Sequence, residues 1–245
     1  YKDDPCKLFQ PKISPEDNFT EQEIRLMAQM QKAIAVIQFK LESQIIKRRP
    51  HYGMDDRLLL DKIDYERGVV HIGGTDYPLL DTRFPTIDPK HPDALNAEER
   101  MVVDKLKLSF VNSKKLQQHV RFLFSNGSIY LAHDGNLLYH GCIAMNDDGE
   151  FRAFNVDGKS FTGKAFLDRV DRLARQGYFA TDNPTVKRYG MDAMWFLWCA
   201  PQSPLFGKEK MATFERYFIA DKATHAEKRN PYYDLRDDET TARKI

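Results

Sequence analysis

The sequence predicts an α+β protein with a helix-rich first half and a strand-rich second half. Two observations predict it. Apolar residues recur at helical spacing between residues 20 and 49, and a second long helix is expected to begin near Asn96. Beyond residue 127, short apolar runs alternate with Asp-Gly and related turn dipeptides, the pattern of hairpins. The chain has 245 residues, 42% hydrophobic and 12% aromatic. That is a globular composition, and a chain of this length can remove roughly 70–75% of its unfolded surface from water.

In chain order, Asn18 or Thr20 is expected to cap a helix whose first turn carries Glu21 and Glu23. Ile24, Met27, Ala28, Ile34, Ile37, Leu41 and Ile45 mark its apolar face, and Pro50 stops it after roughly 40 Å. Residues 54–65 read as a short helix. Residues 68–77 read as a hairpin turning at Gly73-Gly74. Pro85, Pro89 and Pro92 make 81–93 an extended, pinned connector. The second long helix, capped by Asn96 ahead of Glu98 and Glu99, runs in two pieces to Phe124, broken near Asn112-Ser113. Residues 128–133, 136–140 and 150–156 read as strands, with turns at Asp134-Gly135, 146–149 and Asp157-Gly158. Residues 164–176 form an amphipathic helix with Phe166, Leu167, Val170 and Leu173 inward, followed by a Trp-rich apolar segment at 191–199. The expected division is a helix-rich part, 1–125, and a strand-rich part, 126–245.

Composition excludes several classes. Lys and Arg number 37 against 36 Asp and Glu, for a net charge of +1, which argues against a nucleic-acid binder working through a general basic field. No apolar run approaches the ~18 residues of a membrane span. Cys6, Cys142 and Cys199 are odd in number and far apart, without a C-x-x-C pair, so reduced thiols and a cytoplasmic location are expected. The first residue is Tyr1 and the last segment is charged, so an interior piece of a longer polypeptide is expected. No G-x-x-x-x-G-K-[ST], G-x-G-x-x-G, H-E-x-x-H or G-x-S-x-G occurs.

Two segments could carry chemistry. In the first, 135–143, an apolar strand ends in His140 followed by Gly141. Strand ends position catalytic groups, imidazole binds borderline metals, and glycine lets a ligand approach closely. A buried histidine bonded to backbone is the competing reading. The second, 203–217, joins Pro204 and Gly207 to the cations Lys208, Lys210 and Arg216, which could clamp a phosphate. Its alternative is a solvated loop in which Glu209 and Glu215 pair locally with those cations. His51, His71, His91, His119, His133 and His225 read as surface or packing residues.

Both segments lie in blocks that resemble the class III fructose-1,6-bisphosphatase family: 84–88, 121–128, 136–143 and 203–218, within a likeness running from Tyr1 to Tyr233. Ala144 and Ala200 depart from the expected proline and glycine. The resemblance extends to calcineurin-like metallophosphoesterases. It implies the middle part of a β-sandwich flanked by helices, with a largely helical family-specific insertion over about 10–125. By that match His140 is a metal ligand, the metal a divalent cation with manganese expected, and Lys208, Lys210 and Arg216 candidates for substrate binding. The implied reaction is hydrolysis of fructose 1,6-bisphosphate in gluconeogenesis. The family's D-x-H, G-D-x-x-D-R-G, G-N-H-D and late Gly-His motifs are absent, so the catalytic residues are unassigned and this chain alone is expected to be inactive. A small-molecule sugar bisphosphate is the expected partner, with a second copy of the chain as a further candidate and neither nucleic acid nor membrane. The alternatives are a regulatory or interaction module, and a phosphatase for another sugar phosphate.

Overall fold

The computed structural model describes residues 1–14, 16–156 and 158–245. In chain order these form helix α1 (Glu21–Arg48), strands β1 (Ile63–Asp64), β2 (Val69–Ile72) and β3 (Thr75–Pro78), helices α2 (Ala97–Asn112) and α3 (Lys114–Asn126), and strands β4 (Tyr130–His133) and β5 (Asn136–Tyr139). Strands β6 (Phe154–Val156) and β7 (Lys159–Phe161) follow. Helices α4 (Gly163–Phe179), α5 (Pro184–Cys199), α6 (Thr213–Phe218), α7 (Tyr232–Leu235) and α8 (Glu239–Lys244) complete the order. The fold is α+β. Its strands make three separate antiparallel sheets, of three, two and two strands, among the described residues. No helix is long and apolar enough to cross a membrane.

The chain forms two compact units, and neither is a continuous stretch: Tyr1–Lys107 with Ala212–Ala226, and Leu108–Met211 with Glu227–Ile245.

The first unit is organised by α1. Thr20 caps it through a capping box with Glu23, as expected. The buried stripe differs from the expected one. Ala28, Ala35, Ile37, Phe39 and Ile46 are inside, Ile34 is exposed, and Lys32 and Lys40 are fully buried among the apolar residues. Each lysine has carboxylate partners, which is what lets a charge sit there. Lys32 Nζ lies 2.5 Å from Asp4 and 2.7 Å from Asp81. Lys40 Nζ lies 2.8 Å from Glu99 and donates to the Thr86 carbonyl. About two turns further along, Lys47 reaches Asp61 and Asp93. Asp81, Thr86 and Asp93 all belong to the proline-rich connector, so the α1 lysines tie that connector to the helix. Asn96 caps α2 by exchanging hydrogen bonds with Glu99, the same residue that neutralises Lys40.

The expected helix over 54–65 is instead two 3-10 turns leading into β1, which adds a third strand to the Gly73-Gly74 hairpin. The core groups Phe9, Phe39, Leu60, Val70, Phe214 and Phe218. Phe214 and Phe218 come from α6, which returns to this unit because its aromatic face packs edge-on against Phe39. Glu215, expected to pair at the surface of a loop, is fully buried and holds the Arg57 guanidinium by two bonds of 2.5 and 2.9 Å.

The second unit is built on α4 packed against α5. Phe166, Leu167, Val170 and Leu173 are all buried, as the amphipathic pattern requires. The apolar run at 191–199 is the second half of α5, which starts at Pro184 with Asn183 as its cap. The two helices touch backbone to backbone at Gly177 and Gly190. A Cβ on Gly190 would lie 2.6 Å from the Gly177 Cα, and one on Gly177 would lie 2.7 Å from the Gly190 carbonyl carbon. Gly190→Ala is therefore expected to destabilise this unit by about 1–3 kcal/mol, the usual penalty of overpacking. Urea unfolding followed by circular dichroism measures it, and an unchanged midpoint would show that the helices can part freely.

The expected strand over 150–156 is shorter, with an isolated bridge Met145–Phe151 before β6. The expected turn at Asp157-Gly158 includes Asp157, which lies outside the described residues.

Candidate functional site

The β4–β5 hairpin carries the first candidate segment. Asp134 and Gly135 both have positive φ, +48° and +74°, the backbone that a tight two-residue hairpin turn demands. The register pairs Tyr130 with Tyr139 and Leu131 with Leu138. On one strand, Tyr130 donates to Asp168 of α4 at 2.8 Å while Lys164 pairs with the same carboxylate and lies over the Tyr130 ring. On the other, the Tyr139 and Tyr232 hydroxyls meet at 2.5 Å. Burial, reinforced by the hydrogen bond to Tyr232, raises the Tyr139 pKa.

His140 follows β5 directly and is exposed, so the competing reading of a buried histidine does not apply. The chain then dives inward: Cys142, Ile143 and Met145 are buried with Tyr232. All three cysteines are buried and free, and burial pushes the Cys142 thiol up to about 11. Gly141 is required for a different approach from the expected one. A Cβ there would lie 2.5 Å from the Pro204 carbonyl oxygen and 3.0 Å from that of Leu205. The loop, rather than a ligand, occupies that space, and Cys142 N–H donates to the Pro204 carbonyl at 2.9 Å.

The fold thus brings the two candidate segments together. Ser203 is buried, donates to the Leu197 carbonyl, and accepts from Leu205 and Phe206 N–H, which sets the loop's turn. Gly207, at φ +64°, leads to Lys208, whose backbone bridges to Arg229 while Gly207's carbonyl accepts from Asn230. Lys208 Nζ pairs with Glu227 at 2.7 Å and lies 5.9 Å from the Phe206 ring centre.

The expected single cationic loop is divided. Lys208 and Lys210 belong to the second unit, whereas Arg216 is on α6 of the first. His140 and Lys208 line the same groove, of about 1240 Å³, together with Leu138, Met194, Trp198 and Phe206. Sequence reasoning missed Glu227 as the Lys208 counter-charge, since only tertiary pairing links residues this far apart. It also missed the groove-lining role of Met194 and Trp198, for which the Trp-rich run was the available signal. Among the described residues no group of three or more His, Cys, Asp and Glu side chains could hold a metal ion.

Residues 1–245 match the profile of the Firmicute fructose-1,6-bisphosphatases. The chain belongs to that family. It is 56% identical over 247 residues to the fructose-1,6-bisphosphatase class 3 of Alkaliphilus metalliredigens, covering 100% of this chain and 37% of that protein. Class 3 fructose-1,6-bisphosphatases of Clostridium botulinum strains Kyoto and Alaska E43 are 53% and 54% identical over 98% of the chain and 36% of their own length. The chain therefore spans little more than a third of these family members. No solved structure matches it.

Proposed function

We propose that this chain is part of an enzyme that hydrolyses fructose 1,6-bisphosphate to fructose 6-phosphate and phosphate. The observation that carries the proposal is the family match across all of residues 1–245. On this reading residues 126–245 form the middle part of a metallophosphoesterase-type β-sandwich, and the enzyme works in the cytoplasm as part of gluconeogenesis.

The described residues of this chain do not make a metal centre by themselves. His140 fits the part of a single ligand: an exposed imidazole at a strand end, with the Pro204 and Leu205 backbone packed against Gly141 so that the ring's origin is fixed. The proposed group is a divalent cation, manganese foremost, with its other donors outside this chain. The 245-residue chain alone is expected to release no phosphate from fructose 1,6-bisphosphate with manganese. A polypeptide of the relatives' length containing it should do so, and should lose the activity to a chelator. Robust turnover by the chain alone would overturn the incomplete-site reading, and no turnover by the longer polypeptide would overturn the function.

Lys208 and Lys210 are proposed to meet the substrate's second phosphate, with Glu227 as the carboxylate that Lys208 exchanges for it. Arg216 belongs to the proposal by its sequence likeness alone. Replacing Lys208 and Lys210 by alanine in the longer polypeptide is expected to raise KM for the bisphosphate about tenfold, with kcat kept, the mark of lost uniform binding. KM for p-nitrophenyl phosphate should change little; equal effects on both substrates would place the second phosphate elsewhere. Arg216→Ala, measured separately, decides whether that residue shares the role.

A further inference from the structure

We infer that the apolar face around His140 is the seat of another segment of the same polypeptide, from the part of the relatives' length that this chain does not include. Three elements of the second unit present it. Helix α5 is apolar on two sides: Ala193, Phe196 and Leu197 face the core, while Met191, Met194 and Trp198, spaced three and four residues apart, are 52%, 42% and 54% exposed. A helix with a second apolar stripe normally covers that stripe as well. On the hairpin, the cross-strand partners Leu131 and Leu138 are each 55% exposed. On α3, which buries no residue, Leu123 is 63% exposed. Leu123, Leu131, Leu138, Met194 and Trp198 line one groove, and among the described residues His140 and Lys208 are its only ionisable side chains besides Tyr130 and Tyr139. Exposed apolar surface so concentrated marks an interaction site.

Two observations choose the occupant. The A. metalliredigens relative has nearly two thirds of its length outside the matched part, ample chain to supply a covering element. His140 opens into this same groove; resting on the proposed function, the element that covers the apolar residues also brings metal-binding side chains to the imidazole. A second copy of the chain would cover the leucines and Trp198, but among the described residues it presents no cluster of three or more His, Cys, Asp and Glu side chains to complete a metal centre.

The test uses the longer polypeptide carrying single substitutions Leu131→Cys or Trp198→Cys in the groove, or Lys159→Cys on the exposed β7 strand. The three cysteines of this chain are buried, and the rate is read from the unsubstituted longer polypeptide as a background. Maleimide labelling at the groove positions should be at least about tenfold slower than at residue 159, and equal to it in urea, as for a site that opens only transiently. Equal rates in the native protein would overturn the inference. Groove protection that fades on dilution would also overturn it, by making a second copy the occupant. Hydrogen exchange of β4, β5 and α5 in the unsubstituted protein gives the same answer should a variant fail to fold. The metal reading fails separately: groove protection that persists while His140→Ala leaves activity unchanged would keep the docking face and remove the ligand.

Discussion

Replacing His140 by alanine in the longer polypeptide is expected to abolish most hydrolysis of fructose 1,6-bisphosphate while leaving the fold intact. Perturbing a group that only supports a metal ligand typically costs about 10–100-fold, so loss of a ligand itself should exceed about 100-fold. Folding should survive because the imidazole is exposed and outside the buried cluster of Cys142, Ile143, Met145 and Tyr232. The assay therefore needs two readouts, kcat and thermal midpoint. Bound manganese, measured after gel filtration, should fall with kcat. Activity within about tenfold of the parent would be too small a loss for a ligand and would make His140 a surface residue of the groove.

Glu215→Ala is expected to be the most damaging single change for stability in the first unit. It leaves the Arg57 charge buried without its two-bond partner. Burial opposes the Arg57 charge, and Glu215 outweighs that penalty, holding the guanidinium pKa above its ordinary value. Breaking such a pair costs about 3–5 kcal/mol, whereas replacing both partners by apolar residues can be neutral. At about 2–4 °C per kcal/mol for chains of this size, the midpoint should fall by about 6–20 °C. The double variant Arg57→Met/Glu215→Leu should recover much of the loss. If the two single changes simply add, the pair contributes no coupling and the packing of α6 rests on Phe214 and Phe218 alone.

Much of the secondary structure was legible because it is local. The Thr20 and Asn96 caps, the Gly73-Gly74 and Asp134-Gly135 turns, the break at Ser113 and the apolar face of α4 each depend on a few neighbouring residues. The misreadings occur where distant partners decide. The segment 54–65 is pulled into 3-10 turns and a strand that pairs with β2. In α1, apolar periodicity carries no sign of Lys32 and Lys40, whose burial depends on Asp4, Asp81 and Glu99.

The sequence by itself determined the family, through long ordered blocks, and singled out His140 and the 203–217 segment as the places where chemistry could sit. Only the tertiary structure decided how those pieces are used. It set the loop backbone against Gly141, put Lys208 with Glu227 beside His140's groove, and sent Arg216 with Glu215 into the other unit. The reason is physical. Turns and caps are closed by hydrogen bonds within a few residues, which spacing reveals. A buried ion pair or a backbone contact joins residues tens or hundreds of positions apart, and their separation along the chain carries no trace of the partnership.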